Sequence, residues 1–99
     1  MIPPKKSTVI NRLELNSGTY IITGYALYTT EFQESAIYTL SRNGAGLVTC
    51  RGNGIGGGGM TPFTILKTID SVRIELVVWQ GSTSDKSISN NTLTALKIA

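Results

Sequence analysis

The sequence predicts an all-β chain, an antiparallel β-sandwich or jelly roll of about seven to nine strands without substantial helix. Three observations predict it. Apolar and β-branched residues recur with a period of two along most of the chain. Turn signals return about every 8 to 12 residues, the spacing of short strands in a sandwich. No long segment carries a helical period.

The elements follow in order. STVINRLEL (Ser7 to Leu15) reads as the first strand, ended by NSG. GTYIITGYALYTT (Gly18 to Thr30) is β-branched and aromatic. One of its faces reads Tyr20, Ile22, Gly24, Ala26, Tyr28, and the other Ile21, Thr23, Tyr25, Leu27. Both are largely apolar, whereas a sheet with one wet face alternates cleanly, so this strand is expected to be covered on both sides. SAIYTLSRNGAGLVTC (Ser35 to Cys50) is a hairpin, with Asn43-Gly44 supplying the positive φ angles of a type I′ turn. PFTILKTID (Pro62 to Asp70) is the next strand, and Asp70 is expected to close the following turn with its side chain. Val72 to Gln80 places Val72, Ile74, Leu76 and Val78 on one face. Arg73, Glu75, Val77 and Trp79 take the other, with Glu75 expected to look away from the core. Gly81 to Asn91 reads as a polar connection with a short strand near Ser87 to Ser89, and Thr92 to Ala99 closes the chain as a strand. Leu96 and Ile98 share one face of it; Leu93, Ala95 and Lys97 share the other.

A chain of 99 residues holds one domain. Residues 1–6, with Pro3-Pro4, are expected to be an extended lead-in or linker, and residues 7–99 a single domain. Charged residues make up only 15%, below the usual quarter or so, which suits a domain that hides a face against another subunit. The net charge is +3, but the nine basic residues are scattered with no run longer than two, which argues against a nucleic-acid stripe. No apolar run approaches the ~20 residues of a membrane-spanning helix, and no apolar segment follows MIPPKK as in a signal peptide. Cys50 is the single cysteine and histidine is absent, so one chain can build neither an internal disulfide nor a Cys/His zinc site. Cys50 is expected to be a small buried hydrophobe. No cofactor and no metal is expected.

RGNGIGGGGM (Arg51 to Met60) holds six glycines in ten positions. Gly52, Gly54 and Gly57 match a G-x-G-x-x-G spacing, but a phosphate loop also needs a following helix N-terminus and its lysine-hydroxyl pair. Here MTPF leads into a strand instead. The run therefore reads as a connection between two strands: a loose tip, a place where another chain packs closely, or a glycine-lined surface for a ligand backbone or sugar ring. Gly56 and Gly57 are the candidate ligand contacts in it. Without histidine no Ser-His triad forms, and no two of the six carboxylates are paired by the pattern, so no catalytic residue is assigned and no enzyme is expected. Among the aromatic residues Tyr20 is expected in the core, Tyr25 against another subunit, and Trp79 at a strand end where it packs at an interface or touches a ligand.

The order of these signals resembles a known family. LELNSGTYIITGYALY resembles the Leu-x-x-Gly-x-Tyr-x-x-x-Gly opening of jelly-roll heads such as tumour necrosis factor and complement globular heads. YTLSRNG resembles their next strand and turn, and ILKTIDSVRIELVVWQ the turn that launches a long strand, with Ile69 where glycine often precedes the aspartate. TLTALKI resembles the closing strand of versions at the tips of bacteriophage fibres. The resemblance spans about Ser7 to Ile98 and implies a homotrimer of sandwiches packed around an axis. Such interfaces commonly bury more than ~2,000 Å². Ile21, Tyr25, Leu27, Trp79 and Leu96 are then expected at the subunit interface, and Trp79 also as a candidate ligand contact.

The function this implies is a structural virion module. It would be assembled in a host cytoplasm, exposed outside the cell, and would register three chains, attach to a host-surface glycan or protein receptor, or both. Two alternatives stand beside it: a monomeric carbohydrate-binding sandwich, and a bacterial surface or signalling protein of the same fold.

Overall fold

The computed structural model describes residues 2–28, 35–53, 58–81 and 83–99. Eight strands build two antiparallel sheets: β1 (Thr8–Leu15), β2 (Gly18–Tyr28), β3 (Ser35–Arg42), β4 (Ala45–Asn53), β5 (Gly58–Met60), β6 (Thr64–Thr68), β7 (Val72–Gln80) and β8 (Ile88–Lys97). The first sheet runs β1-β7-β3-β4. In the second, β2 is central, with β8 along one edge and β6 and β5 sharing the other end to end. The chain is an antiparallel β-sandwich, as its periodicity predicts.

Alternation sorts the side chains. Ile22, Leu40, Val72, Ile74, Leu76, Tyr20, Leu66 and Leu93 meet between the sheets as one buried cluster. Ile2, Ala26, Ala36, Tyr38 and Val78 form a second. Tyr20 fills the core as expected, and its hydroxyl donates to the Asn16 carbonyl at 3.0 Å. The β3–β4 turn has Asn43 at φ 49° and Gly44 at φ 88°, the two left-handed residues the Asn-Gly pair predicts. The Asn43 side chain also accepts from the Arg73 amide at 2.9 Å, tying the turn to β7.

Several details differ from the sequence reading. β8 starts at Ile88 and runs without a break to Lys97, because Asn90 and Asn91 continue the ladder with Leu27 and Ala26. Strand pairing overrides the low β-propensity of asparagine there. At the turn after β6 the hydroxyl of Thr68 donates to the Asp70 carbonyl at 2.8 Å; this side chain, and not that of Asp70, braces the bend. Glu75 lies on the outer face of β7 but is buried, because Arg12 and Arg73 fold over it. Cys50 is half-buried.

The leading segment is tied to the sandwich from Ile2 onward. Ile2 is buried in the second cluster and exchanges backbone hydrogen bonds with Lys86, at 2.6 and 2.9 Å. The fully buried Gln80 amide donates to the carbonyls of Ile2 and Ser84, at 3.1 and 2.9 Å. One side chain thus fastens both the start of the chain and the β7–β8 connection.

Candidate functional site

The candidate site is the outer face of the second sheet. It follows from the register. Ile21 on β2 stands opposite Ile65 on β6 and opposite Leu96 on β8, giving an isoleucine-isoleucine-leucine row across three strands. Two residues along β2, Thr23 faces Thr94. Two further, Tyr25 stands between Met60 of β5 and Thr92 of β8. Ile98 donates its amide to the Thr19 carbonyl at 2.8 Å and extends the face at its other end.

Tyr20, Ile22, Ala26, Leu66 and Leu93, which alternate with these residues on the same strands, are buried, so these point outward. The centre of the face, on β2, is half-covered by its own neighbours, and the flanks are bare. Ile65 is 70% exposed, Leu96 61%, Met60 51% and Ile98 49%. Single exposed aliphatics are ordinary on a soluble surface, but a contiguous set in register across one sheet marks a contact surface. The arrangement offers hydrophobic contact and shape, with few charges; Lys67 stands at its margin opposite Thr19.

The join between β5 and β6 keeps this face continuous. Thr61 is fully buried and takes over the ladder at Gly24: its amide donates to the Gly24 carbonyl at 2.8 Å, and its hydroxyl accepts from the Gly24 amide at 2.8 Å. Two short strands therefore line one edge of β2 although the chain detours through Pro62 and Phe63 between them.

The structure brings together four of the five residues expected at an interface. Ile21, Tyr25, Leu27 and Leu96 share the outer face of the second sheet. Trp79 does not join them. It lies on the outer face of the first sheet, half-buried and opposite Ile37, which pairs onward with Arg51. Gly56 and Gly57 lie outside the described residues. Sequence reasoning missed Ile65, Met60 and Ile98. Ile65 was legible as the neighbour of a buried Leu66 on an alternating strand; Met60 becomes part of the face only through its pairing with Tyr25.

The outer face of the first sheet is different in kind. Arg12 contacts one Glu75 carboxylate oxygen with Nη2 at 3.0 Å and Nε at 3.2 Å, and Arg73 reaches the same oxygen at 3.5 Å. Both arginine side chains remain about half in water, so Glu75→Gln is expected to cost at most about 1 kcal/mol. Replacing both arginines by alanine uncovers that carboxylate to water and is likewise expected to cost no more than about 1 kcal/mol. Urea unfolding of the two variants checks this; a loss above about 2 kcal/mol for either would refute it. Among the described residues no three His, Cys, Asp or Glu side chains converge. Compared with known proteins, the chain matches no family model and no curated protein.

Proposed function

We propose that this chain is a trimeric structural module, the tip of a phage fibre or related virion appendage, which registers three chains and attaches the particle to a host surface. The observation that carries this reading is the Ile65–Ile21–Leu96 row, an apolar band on one outer face whose flanks stand bare in a single copy. Each such side chain gains roughly 1.5 to 3 kcal/mol when taken fully from water. A face of several in register is therefore a strong site for self-association. The resemblance of the sequence motifs to those of heads that pack three sandwiches around an axis supports three copies over two. The occupants of the face are then two further copies of the same chain, each presenting β2, β6 and β8.

Light scattering after gel filtration tests the assembly. The expected mass is three times the 10.6 kDa of one chain. Tyr25→Asp puts a carboxylate beside Met60 in the middle of the face and is expected to give monomer or insoluble protein. A soluble Tyr25→Asp protein with trimer mass and unchanged melting would count decisively against the reading. Attachment is read separately, as retention of the labelled protein on bacterial cells. Retention assigns attachment, and its absence assigns registration alone.

A further inference from the structure

The sandwich has two outer faces, and self-association through the second sheet uses only one of them. The outer face of the first sheet lies on the opposite side and carries Trp79, the only tryptophan of the chain.

The register sets what surrounds Trp79. Tyr38, Leu40, Leu76 and Val78 are buried between the sheets, so Ile37, Thr39, Val77 and Trp79 point outward. Trp79 stands opposite Ile37, and Ile37 opposite Arg51, giving one row across β7, β3 and β4. The next row is Val9, Val77, Thr39 and Thr49 across all four strands. In it the hydroxyls of Thr39 and Thr49 meet at the surface, 3.4 Å apart. One donates to the other, so the pair keeps a donor and further lone pairs for a third group. Trp79 itself is half-buried, and part of the indole meets water. Neighbouring strands lie about 4.8 Å apart, which sets the Arg51 backbone about 10 Å from that of Trp79.

The charge at this end of the face has one sign. Arg51 is exposed and makes no ion pair among the described residues, unlike Arg12 and Arg73, which share Glu75. Neither of the two rows carries a carboxylate. On the other side of Trp79, Lys5, Lys6 and Ser7 lead into β1 and are exposed, with the Lys5 amide donating to the Gln80 carbonyl at 2.8 Å. Cations thus flank the indole on both sides.

We propose that this face binds an acidic saccharide: one sugar ring stacks on Trp79, the carboxylate of the next ring reaches Arg51, and ring hydroxyls meet Thr39 and Thr49. Each contact has its chemistry. The indole offers a broad apolar surface with a negative π face, which suits the weakly positive C–H bonds of a sugar ring. A guanidinium holds a carboxylate with two parallel charge-assisted hydrogen bonds. A lone aromatic ring beside a hydroxyl pair favours a saccharide over single-stranded nucleic acid, which takes successive stacking rings along a basic groove. The inference rests on the attachment half of the proposed function, whose partner it names as an acidic glycan. It does not require three copies, because the two outer faces are separate.

The single tryptophan makes the test specific, since its fluorescence reports from the site. Tetragalacturonate and a tetramer of sialic acid are titrated into the full chain. At least one is expected to change Trp79 emission with a Kd of about a millimolar or below. The methyl ester of that oligomer keeps the rings and loses the charge, and is expected to bind about tenfold more weakly. Arg51→Gln is expected to bring the acid down to the affinity of its ester, with the ester unaffected and melting unchanged. Trp79→Ala, followed by titration calorimetry, is expected to abolish binding, whereas Lys67→Gln on the opposite face changes nothing. No response to either acid at about 10 mM, equal binding of acid and ester, or binding indifferent to Arg51→Gln overturns the inference, whatever Trp79→Ala does to folding. Tighter binding of a thymidine oligonucleotide than of either acid also overturns it, and gives the face to nucleic acid. The two readings fail separately. Undiminished retention of Arg51→Gln protein on bacterial cells removes this site and keeps attachment, and saccharide binding by protein of monomer mass removes the trimer and keeps the site.

Discussion

Leu76→Ala is expected to lower the stability of this domain by about 3 to 4 kcal/mol, a large share of what a small domain possesses. Leu76 sits in the middle of β7, the strand held between β1 and β3, and its side chain is fully buried. Its cross-strand neighbour on β3 is Leu40, also fully buried, and the β2 and β8 sides of the cluster bring Ile22 and Leu93. Truncation removes the transfer free energy of the isobutyl group and leaves a cavity between two sheets. The ladder hydrogen bonds on both sides hold β7 in place within its sheet, so little of the cavity can collapse. Thermal unfolding should fall by about 15 to 25 °C for a domain of this length. Leu96→Ala is the matched control. It removes the same atoms from an exposed position, so it should leave a single copy's unfolding nearly unchanged and weaken self-association instead. A loss below about 1 kcal/mol for Leu76→Ala would mean the two sheets do not enclose this residue.

Gly59→Val is expected to be nearly as damaging, at about 2 to 3 kcal/mol. A Cβ built at Gly59 lies 2.5 Å from Tyr38 Cε2 and 2.9 Å from Tyr38 Cζ. Tyr38 is fully buried, and its ring occupies room left by small residues: Ala36 and Ala26 in its own cluster, and Gly59, which pairs with Ala26. The ring cannot swing into solvent without opening the core, so the β5 backbone must move away from β2. Tyr38→Leu combined with Gly59→Val should recover part of the loss. Calorimetric melting of the four proteins in that cycle measures the coupling, and additive effects would show that the two residues do not touch. This position also answers what the glycine-rich segment does in part: Gly58 and Gly59 are strand residues on the second sheet, and Arg51 to Asn53 belong to the first. The run carries the chain from one sheet to the other.

Most of the fold was readable from alternation alone. The buried row Val72, Ile74, Leu76, Val78 and the buried row Tyr20, Ile22, Ala26 follow from a period of two, because a half-buried strand must separate apolar from polar residues by parity. The Asn43-Gly44 turn follows from the φ angles those residues tolerate. The glutamate on β7 was harder. Parity correctly turned Glu75 outward, yet its burial depends on Arg12, which is distant in sequence and arrives only through the β1–β7 register.

The candidate site was half legible. The apolar second face of Gly18 to Thr30 announced a covered strand, and it nominated Ile21, Tyr25 and Leu27. Trp79 was grouped with them because an apolar residue on the outward side of a strand looks the same from either sheet. Which sheet a strand joins depends on long-range pairing, and β7 joined β1 and β3, on the opposite side of the sandwich.

By itself the amino-acid order determined the all-β class, the strand faces and the hairpin turn, since these depend on backbone sterics and on parity within a few residues. Tertiary structure decided which outward faces merge into one surface and how Thr61 lets two short strands act as one. Those outcomes depend on the register between distant strands, and a shift of one residue would have sent Ile65 and Leu96 into the core.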